Sequence, residues 1–299
     1  MRITILGSGA MACLFGARLA PHAAVTLLGT WREGIAAIAE RGIQLDAGHF
    51  AHVYATTDPR RAAPADLALV LVKSWQTARA ASQAAEILSP AGVALTLQNG
   101  LGNLEMLEAA VGSERAALGV TTQGATLVGP GVVREGGRGP VHVAADSRLS
   151  LFTEALRAAG FEVHQSPLSN LESLAWGKLV VNCGINALTA ILRVPNGELL
   201  LRPDASSLMD RAAGEAADVA RAKGIVLPYA DPVERVREVA RATAANRSSM
   251  LQDVMRGAPT EIDAINGAVV REGARLDVLT PINEVLSQLV RALDHEWHE

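Results

Sequence analysis

Short apolar runs of strand length alternate with helical stretches through the first half of the chain: "ITIL", "AVTLL", "LALVLV", "GVALTL" and "AALGV". Strands that are apolar on both faces and separated by helices predict a mostly parallel sheet covered on each side. In the turn-rich segment that follows, "ATLVGPGVVREGGRGPVHVA", Gly-Pro-Gly and Gly-Gly-Arg-Gly-Pro punctuate two or three strands. Those strands are expected to pair antiparallel and to extend the sheet at one edge. From Asn170 onward strand patterns stop, and helical stretches are broken at Pro195-Asn196-Gly197, Arg202-Pro203-Asp204, Leu227-Pro228, Asp231-Pro232, Gly257-Ala258-Pro259 and Thr280-Pro281. The pattern predicts an α/β sheet domain over residues 1–168 and an all-helical second domain over 169–299.

One helical stretch breaks its own pattern. In "KLVVNCGINALTAI", Lys178, Asn182 and Asn186 recur at i, i+4 and i+8 and form a narrow polar stripe amid Leu179, Val180, Val181, Cys183, Ile185 and Leu188. Polar groups with such neighbours face a cavity or a partner. The plainer alternative is a groove between helices crossed by hydrogen bonds.

The amino-terminal strand runs into "GSGAMA", with Gly7, Gly9 and Ala12 at the three positions of a dinucleotide-binding fingerprint. The first glycine permits a tight turn, the second lets a pyrophosphate approach the backbone, and the third, small position packs helix on strand. Placed directly after an apolar strand, Gly7, Ser8, Gly9, Ala10 and Met11 are expected to cradle a dinucleotide, and the fold is expected to be Rossmann-like. An ordinary strand-to-helix turn is the competing reading. The second strand ends in Gly29-Thr30-Trp31-Arg32 with no acid at its tip to grip a ribose hydroxyl, so Arg32 is available for a 2′-phosphate and NADP is favoured over NAD. Glu33 tempers that preference, and Arg32 as a solvated surface residue is the alternative. Beyond the carboxyl ends of later strands stand Lys73 and Gln76, then Gln98, Asn99 and Gly100, then Thr121, each a cofactor contact or else a cap or turn residue.

Composition narrows the function class. The 299 residues are 49% apolar and 19% charged with a net charge of −4, which describes a globular protein with no general attraction to nucleic acid or anionic membranes. Cys13 and Cys183, the two cysteines, are read as small core residues in a reducing compartment. No signal-peptide pattern opens the chain, and no uninterrupted apolar run approaches the roughly 18 to 20 residues of a membrane span. A cytoplasmic location without membrane partners is therefore expected. The terminal "DHEWHE" reads as a solvated helix end in preference to a metal site, and no metal is expected.

Two further segments are dense in polar groups, "PNGEL" with Asn196 and "NRSSMLQDVMRGAPTEIDAINGAVV" with Asn246, Ser248, Ser249 and Glu261. Capping accounts for part of this: Thr260 is placed to start a helix with Asp263 near its third position, and one of the serines is placed to start another. Together with "GSGAMA", "VKSWQT", "LQNGLGN", "GATLVGPGVV" and the striped helix, these segments resemble the ketopantoate reductase family over nearly the whole chain. The resemblance implies hydride transfer from NADPH to the ketone of ketopantoate, a small 2-keto acid, in pantothenate synthesis. Lys178 matches the family's proton donor to the developing alkoxide, and Glu261 its acid near the lysine and the substrate hydroxyl. Asn182, Asn186, Asn246 and Ser249 match substrate-orienting groups, and Asn196 falls on a family position as well. Gly7, Gly9, Arg32, Lys73, Gln76 and Asn99 match cofactor contacts. Ala12 at the third fingerprint position is a departure that changes the packing slightly.

The chemistry agrees with the resemblance, since a cation against a carbonyl stabilises charge developing on its oxygen and then supplies the proton. Two rival readings stay open at the level of sequence. One is a related NADP-dependent reductase of another 2-keto acid; the other is a non-catalytic NADP sensor, which has no need of a Lys178 and Glu261 pair. The sequence does not choose an oligomeric state, though a homodimer suits a helical second domain.

Overall fold

A computed structural model describes residues 1–46 and 48–294, in two compact units: one holds Met1–Gln98 with Asn103–Leu171, the other Asn99–Gly102 with the chain from Glu172 onward. His295 and His298 of the terminal stretch lie outside the described residues.

The first unit runs β1 (Arg2–Leu6), α1 (Ala10–Leu19), β2 (Ala24–Leu28), α2 (Arg32–Arg41), β3 (Ile43–Leu45), β4 (His49–Ala51), β5 (Tyr54–Thr56), β6 (Ala65–Val70), α3 (Thr77–Ile87), β7 (Leu88–Thr96), α4 (Asn103–Val111), β8 (Ala116–Thr121), β9 (Ala125–Gly129), β10 (Val132–Glu135), β11 (Val141–Ala144), α5 (Ser150–Ala158) and β12 (Val163–Ser166). Its main sheet has the order β12-β11-β8-β7-β6-β1-β2-β5, parallel throughout except where β11 meets β8. The apolar runs are explained by burial on both faces. Alternate residues Ile3, Ile5, Val25, Leu27, Leu67 and Leu69 join one core with Phe15 of α1 and Phe152 of α5. Leu6, Leu28, Ala68 and Val70 point the other way, into a second core with Ala80, Ala84 and Ile87 of α3 and Leu107 of α4. Since β1 lies between β6 and β2, the strand order reverses at its carboxyl end, where ligands of such sheets bind.

One expectation is corrected. Of the turn-rich segment only β11 extends the main sheet antiparallel; β9 and β10 form a hairpin about Gly131, whose φ is +72°, in a separate sheet of order β4-β3-β10-β9. The hairpin is captured by β3, where Gln44 N donates to Gly131 O at 2.8 Å and Asp46 N to Val133 O at 3.0 Å. Val133 and Leu45 thereby bury themselves in the core beneath α1.

The second unit is helical: α6 (Leu168–Leu192, beginning in the first unit), α7 (Pro203–Ala222), α8 (Pro232–Ala242), α9 (Ser249–Met255), α10 (Asn266–Arg275) and α11 (Pro281–Asp294). Proline opens α7, α8 and α11 as the breaks predicted, and Asp231 caps α8 by accepting from Val233 N and Glu234 N at 2.9 Å. The helix α6 has the length and apolarity to cross a membrane, but 67% of that window is buried inside the protein, which makes it a core helix. A Cβ on its Gly184 would lie 2.8 Å from Val236 Cγ2 and 3.1 Å from Met209 O, so only glycine admits α7 and α8 so near its backbone. Cys13 and Cys183 are free and buried, and burial pushes both thiols upward in pKa, as core residues and not nucleophiles require.

Candidate active site

In the first unit the glycine turn is shaped by two close approaches. Gly7 sits at φ +134°, where a Cβ would lie 3.2 Å from the Leu71 backbone, and its N–H donates to Leu28 O at 2.8 Å. A Cβ on Gly29 would meet the Ser8 hydroxyl at 2.8 Å, so the bare glycine lets the turn lie against the tip of β2. Gly9 then caps α1 with extended backbone, no side-chain bond and no acid in the first turn. The orphan amides of that turn are left for an anion, and a Cβ at Gly9 would have nothing within 4 Å, so the backbone there borders open space. A pyrophosphate fits this donor set. Arg32, the exposed first residue of α2, has no hydrogen bond or ion pair among the described residues.

Lys73 and Gln76 bracket a short 3-10 turn after β6, with Gln76 N donating to Lys73 O at 2.8 Å. Gln98 is a brace: its amide nitrogen donates to Val72 O and to the Thr77 hydroxyl, both at 2.9 Å. Thr121 is buried, and its hydroxyl donates to Pro140 O at 3.3 Å and accepts from Gln123 N at 3.1 Å. The loop leaving β7 belongs to the second unit. Leu101 N donates to Ala264 O at 3.0 Å, and Gly100, at φ +82°, has so little clearance that a Cβ would stand 2.4 Å from that carbonyl. Asn99 is thus joined to the segment that carries Glu261.

Lys178 lies in the third turn of α6 beyond Gly177, where a Cβ would strike Pro228 at 2.7 Å and whose carbonyl accepts from the Tyr229 hydroxyl at 2.9 Å. Its side chain keeps some open surface, but the ammonium is surrounded by protein, and this burial lowers its pKa from 10.5 to about 8. Glu261, itself buried, opposes that fall by its charge. A lysine so tuned holds a proton near neutrality and can release it, which a general acid needs.

Further along the stripe Asn182 is half-buried and Asn186 buried. Neither amide has a hydrogen-bond partner among the described residues, and neither is among the atoms sealed from solvent. Of the predicted residues, Ser249 is the exposed first residue of α9, and Asn246 is exposed with its carbonyl accepting from Asn196 N at 2.9 Å. Asn196 is buried and donates its amide to the Thr243 hydroxyl at 2.9 Å, leaving Oδ1 without a partner. The serine that caps α9 is Ser248, which accepts from Leu251 N at 3.0 Å and shares a 2.7 Å hydrogen bond with Thr189 of α6. Thr260 does not begin a helix: a 3-10 turn spans Ile262–Ala264 and α10 starts at Asn266.

Two features carry no local sequence signal. Asn266 donates to Cys183 O at 3.1 Å and Asn283 Oδ1 at 3.0 Å, tying α6, α10 and α11 together. Arg79 of α3 donates to the Thr30 hydroxyl at 3.3 Å, beside Arg32 in sequence. The pairs are 83, 17 and 49 residues apart, so no local pattern announces them.

A family model described as "Ketopantoate reductase PanE/ApbA" matches residues 3–147, and one described as "Ketopantoate reductase PanE/ApbA C terminal" matches 170–294. The 2-dehydropantoate 2-reductase of Halobacterium salinarum is 38% identical, covering 97% of this chain and 98% of that protein. That of Archaeoglobus fulgidus is 36% identical over 98% of each. Among solved structures, a PanE/ApbA family ketopantoate reductase from Ralstonia eutropha JMP134 superposes with a TM-score of 0.92 at 34% identity over 100% of both chains. A D-mandelate dehydrogenase with NADH and anilino(oxo)acetate does so at 0.89 and 28% identity over 99% of both. Two family models spanning most of the chain, and relatives alike from end to end, make this chain a member of the ketopantoate reductase family and an oxidoreductase.

Proposed function

We propose that the chain reduces the 2-keto group of 2-dehydropantoate to give pantoate, a step of pantothenate biosynthesis, with NADPH as reductant. Residues 1–168 serve as the NADP-binding domain and 169–299 as the substrate domain. The observation that carries the reading is the buried ammonium of Lys178 beside Glu261, on a helix face whose asparagine amides have no partner among the described residues. Gly7, Ser8, Gly9, Ala10 and Met11 would hold the pyrophosphate through backbone amides, and Arg32 the 2′-phosphate, with Lys73, Gln76, Asn99 and Thr121 completing the cofactor set. The bound cofactor supplies a hydride to the ketone carbon. Lys178 donates a hydrogen bond to the ketone oxygen, stabilises negative charge as it grows there and delivers its proton to form the alcohol. Glu261 keeps Lys178 protonated near neutrality, while Asn182, Asn186, Asn196, Asn246 and Ser249 orient the keto acid. The chain is read as a cytoplasmic enzyme acting on a small molecule.

The likeness to D-mandelate dehydrogenase supports a second reading, in which the same Lys178 chemistry serves an aromatic 2-keto acid with NADH. A panel of 2-keto acids that includes ketopantoate and phenylglyoxylate, each with NADPH and with NADH and followed by loss of nicotinamide absorbance, separates the two. The expected result is the highest kcat/KM for ketopantoate with NADPH. Preference for the aromatic acid would overturn the substrate, and equal kcat/KM for the two cofactors would overturn the role given to Arg32.

A further inference from the structure

The tip of β2 is served by a second cation. Arg79, the third residue of α3, is exposed, and its Nη2 donates to the Thr30 hydroxyl at 3.3 Å. Helix α3 follows β6, and β6 lies across β1 from β2, so this side chain reaches back over the end of β1 to the strand on its far side. Neither Arg79 nor Arg32 has an acidic partner among the described residues; Glu33, next to Arg32, bonds to neither. Folding alone gives little reason for the arrangement. Holding a long exposed side chain on one hydroxyl loses rotamer entropy for a bond that water would replace. One guanidinium held on Thr30 and a second two residues further along the chain, neither with an acidic partner among the described residues and both in a chain of net charge −4, are completed by a dianion. A phosphate monoester has three terminal oxygens to share between two guanidiniums, whereas a ribose hydroxyl seeks an acceptor that neither arginine has.

We propose that Arg79 is a second specificity-determining residue for the cofactor: Thr30 steadies its guanidinium over the tip of β2, where it shares the adenosine 2′-phosphate with Arg32. The inference rests on the NADP reading above and places the discrimination in a pair of arginines. It also assigns Thr30 a positioning role.

The test uses the full-length enzyme and two probes that differ only in the 2′-phosphate, adenosine 2′,5′-bisphosphate and AMP, titrated by calorimetry alongside steady-state kinetics with NADPH and NADH. Arg79→Ala is expected to raise the Kd of the bisphosphate and the KM of NADPH by about tenfold, the scale of one charge-assisted hydrogen bond, with kcat, AMP binding and the NADH reaction unchanged. Arg79→Lys should recover part of the loss, and Thr30→Val should move the bisphosphate in the same direction by less. Equal losses with NADPH and NADH would mean a merely structural role and overturn the assignment. So would a wild-type enzyme that discriminates the probes while Arg79→Ala discriminates them as well. A wild-type enzyme binding both probes equally would instead sink the NADP reading on which the inference stands.

Discussion

At the scale of single residues the chemistry turns on one proton. Lys178 in its protein surroundings has a pKa of about 8, lowered by burial and partly restored by Glu261. The reductive direction needs the ammonium form, so kcat/KM for ketopantoate should be level below about pH 8 and fall above it. Replacing Glu261 by Gln removes the group that holds the pKa up, and the alkaline limb should move to lower pH. An alkaline limb that stays in place in Glu261→Gln would detach the carboxylate from the lysine. Lys178→Ala should lower kcat by about 10²-fold or more, the usual scale of general acid catalysis, and undiminished turnover would remove the lysine from the mechanism. The same shift acts on stability. Below about pH 8 both folded and unfolded chains carry the charge, and the folded state bears its full desolvation cost. Between there and the unfolded value of roughly 10.4 the unfolded chain binds more protons, so stability rises with pH. Urea unfolding of wild type and Lys178→Met across pH 7.5 to 10 should therefore show a rising difference in favour of the wild type; a difference that is flat with pH would contradict the lysine's burial.

At the scale of elements, α6 holds its stripe in place because other helices are bolted to it by buried polar groups. Glu215 of α7 accepts from Ile282 N and Asn283 N at 2.9 Å, capping α11, and from the Asn283 amide at 2.8 Å. Asn283 in turn accepts from Asn266, which reaches Cys183 O on α6. Glu215→Ala should lose about 2 to 3 kcal/mol, as expected when a charged cap leaves buried donors unpaired, with kcat per folded molecule unchanged. Chemical denaturation measures the loss, and a midpoint equal to wild type would show that the network contributes nothing. What was legible in the sequence follows the range of the interaction involved. The apolar strands, the prolines that open helices and the serine cap of α9 are set by neighbours a few residues away, and each pattern states its cause. The Lys178 stripe was legible because helical periodicity alone aligns it. The β9–β10 hairpin was assigned to the wrong sheet because its partner β3 lies some ninety residues earlier and pairs with it through backbone atoms that carry no sequence label. Thr260 looked like a cap because its neighbours fit one locally, but the Ala264 carbonyl accepts from Leu101 and the chain takes a 3-10 turn before α10 begins. Arg79 reached Thr30 unseen for the same reason of distance.

At the scale of the molecule, the proposed reading divides its groups between two compact units: the glycine turn and Arg32 belong to the first, Lys178 and Glu261 to the second, and of the proposed cofactor residues Asn99 alone falls in the second. Groups in separate units with no shared partner perturb one another little, so their substitutions should act on different observables. Arg32→Ala should raise the KM for NADPH while leaving the alkaline limb of the pH profile where it was. Lys178→Ala should lose turnover while still binding NADPH as the wild type does. Thermal unfolding reads the second half of this pair without any catalysis, because a ligand that binds only the folded chain stabilises it by about 2.7 kcal/mol at a hundred times its Kd. NADPH at one fixed concentration should thus raise the melting temperature of wild type and Lys178→Ala by the same few degrees, and that of Arg32→Ala by less. A Lys178→Ala protein that had lost the NADPH shift would show that the ammonium helps to hold the cofactor, and the division of labour between the two units would have to be given up.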